Sequence, residues 1–145
     1  MLPQEKLNLL KKVFVNYRQI KAVYLFGSFA ESKENKFSDL DIGVLLDDNY
    51  FLDIKLNILT DLANHNFCNV DLIILNKASL LTRFEVVKHN QIIYKKDNFD
   101  SSSYYAKVIR EFQDFRYLLK IQSYYLKERL LNGQPGGTVK KNRKS

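Results

Sequence analysis

Leu7, Leu10, Phe14 and Tyr17 recur three and four residues apart, so residues 4–17 read as an amphipathic helix with Pro3 tolerated at its start. The next apolar stretch has a different form. Residues 22–26 (AVYLF) are continuously apolar and stop at Gly27, as a buried strand would. Small and then charged residues fill 27–36, which predicts a turn that opens a short helix. Residues 40–46 (LDIGVLL) and 70–75 (VDLIIL) predict two further strands, each apolar except for a single acid, Asp41 and Asp71. Between them Ile54, Ile58 and Leu62 mark a helix over 51–63. Residues 80–89 predict another helix and 91–95 a short strand. A long segment, 101–131, then runs without Gly or Pro; its opening serines serve as N-cap candidates and Gly133 as a stop.

Strands that alternate with helices in this order predict an α/β (α+β) fold, a small mixed β-sheet flanked by helices with a long C-terminal helix. At 145 residues the chain suits one domain. We divide it into a domain over 1–100, a helix over 101–132 and a disordered basic tail over 133–145. There is no internal repeat.

Charge changes the picture. The chain carries a formal +7, which taken alone points to nucleic acid or an acidic membrane. Residues 1–100, however, hold 13 basic and 13 acidic side chains and are neutral. The helix is +3 and the tail +4, so the basicity belongs to the C-terminal third. No nucleic-acid recognition motif accompanies it, and direct nucleic-acid binding is not expected. Hydrophobic residues make up 46% of the chain, enough for a core, yet no apolar run approaches the ~20 residues of a membrane span. The N-terminus lacks a signal-peptide core, and the one cysteine, Cys68, cannot form an intramolecular disulfide. A reduced, cytoplasmic protein is expected, with no membrane partner. His65 and His89 do not make a zinc pattern; we expect His65 in a loop, His89 near a helix end and Cys68 as a small core residue.

Residues 1–132 contain only two glycines, Gly27 and Gly43, so each should be needed where it stands. Gly27 and Ser28 directly follow a strand. A glycine there lets the backbone come close to phosphates, and the exposed N–H groups of such a turn attract anions. Asp39 and Asp41 follow at the edge of the next strand, two residues apart and so on one face. Two adjacent carboxylates repel, and Mg²⁺ relieves the repulsion through oxygen ligands at ~2.1 Å. Asp71 lies in an otherwise apolar strand, where burial would be costly without a partner or metal. If that strand lies beside the second, the three acids form one cluster. Acids, metal and a phosphate turn suit in-line displacement at phosphorus.

These residues, GSFAESKENKFSDLDIGVLL (27–46) and NVDLIIL (69–75), resemble the DNA polymerase β-like nucleotidyltransferase superfamily. Small size, the stretch over 80–97 and the long last helix look more narrowly like the minimal nucleotidyltransferase antitoxins encoded beside a HEPN-domain toxin. The resemblance covers roughly residues 5–130. It implies a nucleoside triphosphate substrate, ATP, with Mg²⁺, two ions. Gly27 and Ser28 would hold the β- and γ-phosphates, Asp39 and Asp41 the metals, and Asp71 one metal while activating the attacking hydroxyl. The acceptor would be a tyrosine of the HEPN toxin, an RNase silenced by AMP. The family often carries a basic residue and glycine after Gly-Ser-x-Ala; Glu31-Ser32 stands there instead.

Two alternatives remain in view: an antitoxin that acts mainly by binding and blocking its toxin, and a small-molecule nucleotidyltransferase. The latter usually has a larger C-terminal substrate domain. The last helix favours a protein partner. Tyr105, Val108, Phe112, Phe115, Leu119 and Leu126 follow a three-four spacing, while Leu118, Ile121 and Tyr125 widen the apolar arc. Arg110, Arg116 and Arg129 interleave with aromatics, the composition of an interface core. Arg83 and His89 loosely match the spacing of the HEPN RNase motif itself, which we read as coincidence.

Overall fold

The computed structural model describes residues 2–31, 39–49 and 53–132. The tail over 133–145, Gly133 and the second half of the turn after Gly27 lie outside the described residues. The chain divides into two compact units, residues 1–109 and 110–145.

The first unit contains α1 (Gln4–Phe14), β1 (Ile20–Phe26), the four-residue α2 (Gly27–Ala30), β2 (Leu40–Leu46), α3 (Ile54–Asn64), β3 (Val70–Ile74), a 3-10 turn (Leu75–Lys77), α4 (Leu80–Val87) and β4 (Gln91–Lys95). It ends in the first turns of α5 (Ser101–Leu131), which supplies the described part of the second unit. The strands form a mixed sheet in the order β3-β2-β1-β4. β1 runs antiparallel to β2 and β4, and β2 runs parallel to β3. The mixed sheet predicted from the alternation of elements is therefore present.

Alternation along the strands builds two apolar layers. Ile20, Val23, Leu25, Ile42, Val44, Leu46 and Leu72 form one face, packed with Leu10, Val13 and Phe14 of α1 and Ile54, Ile58 and Leu62 of α3. Ala22, Tyr24 and Leu45 form the other, packed with Val86 and Val87 of α4 and Val108 of α5. α1 and α3 turn the apolar positions of their three-four series inward, whereas α5 buries only Val108 of its series and leaves Phe115, Leu119 and Leu126 exposed.

Several boundaries move for local reasons. α1 stops at Phe14 rather than Tyr17, because the chain turns within residues 15–19 to enter β1. Tyr17 lies past the helix, half-buried, and donates its hydroxyl proton to the Asp61 carboxylate of α3. β3 ends before Leu75 because Asn76 closes the sheet end: its amide donates to the Leu46 carbonyl (2.7 Å), and its side-chain oxygen accepts from the Leu46 N–H (2.8 Å). α4 ends at Val87, and Asn90 then adopts φ +51, a left-handed corner that asparagine tolerates. α5 is capped not by its serines but by Asp100, whose carboxylate accepts from the Ser103 N–H (3.1 Å) and hydroxyl (2.7 Å). Cys68 is exposed rather than a core residue, because it lies in the loop between α3 and β3.

Gly43 is required by packing. It sits in the middle of β2, flanked by Tyr24 and Ile73, and a Cβ there would lie 2.5 Å from Cγ1 of the buried Val86. α4 can approach the sheet this closely only over a glycine.

Candidate active site

The site lies at the sheet end where β1 finishes and β2 and β3 begin. Antiparallel pairing sets Phe26, the last residue of β1, opposite Asp41. Parallel pairing sets Asp41 opposite Asp71. Residues paired in register project from the same face, so both carboxylates leave the sheet on one side. β3 neighbours β2, which sets Asp71 beside Asp41. Asp71 is not buried: β3 is an edge strand and the side chain is exposed. Asp39 precedes β2 by one residue and is also exposed, while Asp41 is half-buried.

Gly27 links the strand to α2 and closes the site from the other side. Its φ of +71 lies in the left-handed region, where a side chain is strained. A Cβ built there would stand 2.0 Å from Asp41 Oδ2. Glycine thus serves twice: it permits the turn and leaves room for the carboxylate. Ser28 is half-buried in the first position after it. The Glu31 N–H closes the turn on the Gly27 carbonyl at 3.1 Å.

The electrostatics of this corner are strained. Burial raises the pKa of Asp41 above the ordinary carboxylate value, and the charges of Asp71 and Asp39 raise it further. A cation would relieve all three effects. Among the described residues, no three His, Cys, Asp or Glu side chains are placed to cage a metal ion unaided. Mg²⁺ does not require such a cage, since it binds through one or two carboxylates together with substrate phosphates and water. The donors present are carboxylate oxygens, one of them held in the space that Gly27 leaves, and they fit this ion.

Glu31, the acid at the place where a base is common, does not stand alone. Its carboxylate lies 3.8 Å from His89 Nε2, just beyond α4. Gln91, the first residue of β4, donates from its side-chain amide to the Ala30 carbonyl at 2.9 Å. The sequence reading did not single out Gln91. It is separated from its partner by 61 positions, and no local pattern signals such a bond. His65 lies at the C-terminus of α3, with its ring nitrogen against the Asp61 carbonyl.

A strand-end glycine turn thus faces carboxylates on two adjacent strands. Residues 8–99 match the family model for "Polymerase beta, Nucleotidyltransferase", and the chain belongs to that family. No match was found among curated proteins.

Three solved structures show how far the fold extends. A chain of a toxin-antitoxin crystal structure with AMP-PNP is similar at 23% identity and TM-score 0.67, over 83% of this chain and 98% of that one. A chain of a tri-AMPylated Shewanella oneidensis HEPN toxin in complex with MNT antitoxin is similar at 24% identity and TM-score 0.63, over 86% and 98%. A chain of the toxin-antitoxin MntA-HepT is similar at 23% identity and TM-score 0.63, over 86% and 99%.

Proposed function

We propose that this chain is a cytoplasmic antitoxin that transfers AMP from ATP to a tyrosine of a cognate HEPN-domain RNase toxin and so neutralises it. One observation carries the reading. Gly27, Asp41 and Asp71 meet at one sheet end, with Asp39 two residues before Asp41, in a chain of a nucleotidyltransferase family. Supporting it, the similar folds occur in toxin-antitoxin complexes, one with AMP-PNP and one with tri-AMPylated toxin.

In this reading residues 1–100 are the catalytic domain. Gly27 and Ser28 hold the β- and γ-phosphates through backbone N–H groups and the serine hydroxyl. Asp39 and Asp41 would hold two Mg²⁺ ions, and Asp71 would share one of them. When bound, these ions supply the positive charge that offsets the triphosphate and the transition state. Asp71, exposed beside Asp41, takes the proton of the incoming tyrosine. The tyrosine oxygen bonds to the α-phosphorus, the bond from that phosphorus to the bridging oxygen breaks, and pyrophosphate leaves.

The helix over 101–132 meets the toxin. Phe115, Leu118, Leu119, Tyr124, Tyr125 and Leu126 of α5 are all exposed large apolar side chains, the kind of surface that marks a protein partner. The same observation favours a second reading, neutralisation by docking alone. Among the described residues no helix is long and apolar enough to cross a membrane.

The two readings separate in one experiment. The Asp39→Ala, Asp41→Ala double variant is compared with wild type for transfer of label from α-labelled ATP to the HEPN protein, and for protection of cells expressing that toxin. Loss of both label and protection is expected. Full labelling by the variant would sink the proposal, and retained protection without labelling would favour docking.

A further inference from the structure

α2 is a single turn of four residues, too short to be stable by its own hydrogen bonds. Its geometry has to be set from outside, and β4 supplies the contact. β4 starts beside the end of β1, with Gln91 opposite Leu25. From that position the Gln91 amide reaches the Ala30 carbonyl at 2.9 Å. Ala30 is buried and is the last residue of α2, so its carbonyl has no further helical turn to receive it. One residue on, Glu31 points its carboxylate at His89, 3.8 Å away. Both partners are delivered by one corner. Asn90 takes a left-handed conformation and its N–H closes on the Val87 carbonyl at 2.8 Å, which turns the chain from α4 into β4.

We propose that Gln91 is a positioning residue for the nucleotide site, seconded by His89. Gln91 fixes the end of the turn that begins with Gly27 and Ser28. The Glu31 carboxylate faces the α4–β4 corner, 3.8 Å from His89 Nε2 and within the field of Lys88, which keeps that negative charge from competing with phosphate for the same turn. The inference rests on the reading of Gly27-Ser28 as the phosphate site. It assigns to the strand start at 91 a role in nucleotide affinity that its place on the sheet edge does not suggest.

The test is calorimetric binding of AMP-PNP with Mg²⁺ to the full chain, with thermal unfolding of each variant alongside. Gln91→Leu keeps the side chain's bulk without a donor, and its affinity should fall at least about fivefold, as for a hydrogen bond lost from a part-buried carbonyl. Gln91→Lys carries an N–H donor of similar reach and should recover most of that affinity. His89→Ala should weaken binding, and adding Glu31→Gln to it should restore binding, since no charge is left to restrain. Wild-type affinity in Gln91→Leu overturns the inference alone, as does an equal loss in Gln91→Leu and Gln91→Lys. If Gln91→Leu does not fold, the exposed His89 and Glu31 variants decide, and failure of Glu31→Gln to restore binding overturns the proposal. A wild-type chain that binds no nucleotide overturns the phosphate-site reading and this inference with it.

Discussion

Replacing Gly27 by alanine separates two demands that the site makes on one residue. The backbone at Gly27 has φ +71, and an alanine held there costs about 1–2 kcal/mol from contact of its Cβ with the backbone. The second demand is local. The new methyl would sit 2.0 Å from Asp41 Oδ2 and 2.9 Å from its Cγ, so the carboxylate must swing away. That rotation costs little stability, because the side chain is half-buried, but it moves a proposed metal ligand off its position. Gly27→Ala is therefore expected to lose about 1–2 kcal/mol of stability and nearly all nucleotidyl transfer. A urea unfolding curve measures the first and incorporation of labelled AMP the second. An alanine variant that unfolds with the same midpoint and transfers AMP at the wild-type rate would refute both the strained turn and the placement of Asp41. Asp41→Asn with Gly27 intact provides the comparison: activity falls there without the backbone cost.

Three other outcomes follow from the packing and charges. Gly43→Ala should cost about 1–3 kcal/mol by overpacking against Val86, whose Cγ1 would lie 2.5 Å from the new methyl; denaturant unfolding checks this, and adding Val86→Ala should return part of the loss. Tyr24 is fully buried, and among the described residues its hydroxyl has no hydrogen-bond partner. Tyr24→Phe is therefore expected to be neutral or to stabilise by up to about 1 kcal/mol, and a lower melting temperature would show that the hydroxyl is satisfied after all. Asp41 has its pKa raised by burial and by the charges of Asp71 and Asp39. The folded chain thus holds this proton more tightly than the unfolded one, so the contribution is present below the unfolded carboxylate pKa and lost as pH rises through the raised value. Without metal, Asp41→Asn should flatten that decline in a pH series of unfolding curves; an unchanged pH profile would contradict the crowding of the three acids.

Much of this architecture was readable from periodicity. Most elements have an apolar pattern that their burial satisfies, as Leu10 and Phe14 on α1 and Ile54, Ile58 and Leu62 on α3 illustrate; α5 does not, since beyond Val108 most of its large apolar side chains stay exposed. Ends were less legible, because they depend on single polar side chains that act across distance or as caps. Asn76 stops the β2–β3 pair by bonding to Leu46, thirty positions away, and Asp100 rather than a serine caps α5. The carboxylates were visible as a pattern before their positions were known. What brings Asp71 to Asp41 is the parallel pairing of β2 with β3, a tertiary fact that spacing alone does not contain. The apolar character of Asp71's strand suggested burial, whereas the strand's place at the sheet edge leaves that side chain exposed. The scarcity of glycine proved informative at both internal positions, for different reasons: a left-handed turn at Gly27 and a close helix at Gly43.

In the proposed function the carboxylates at this sheet end transfer AMP to a protein partner. Its most direct test is the intact mass of a HEPN-domain protein encoded in the neighbouring reading frame, measured after incubation with this chain, ATP and Mg²⁺. Mass increments of whole AMP groups are expected on that protein with the wild-type chain, and none with the Asp39→Ala, Asp41→Ala variant. An unmodified partner in the wild-type reaction, or the same increments with the variant, would contradict it.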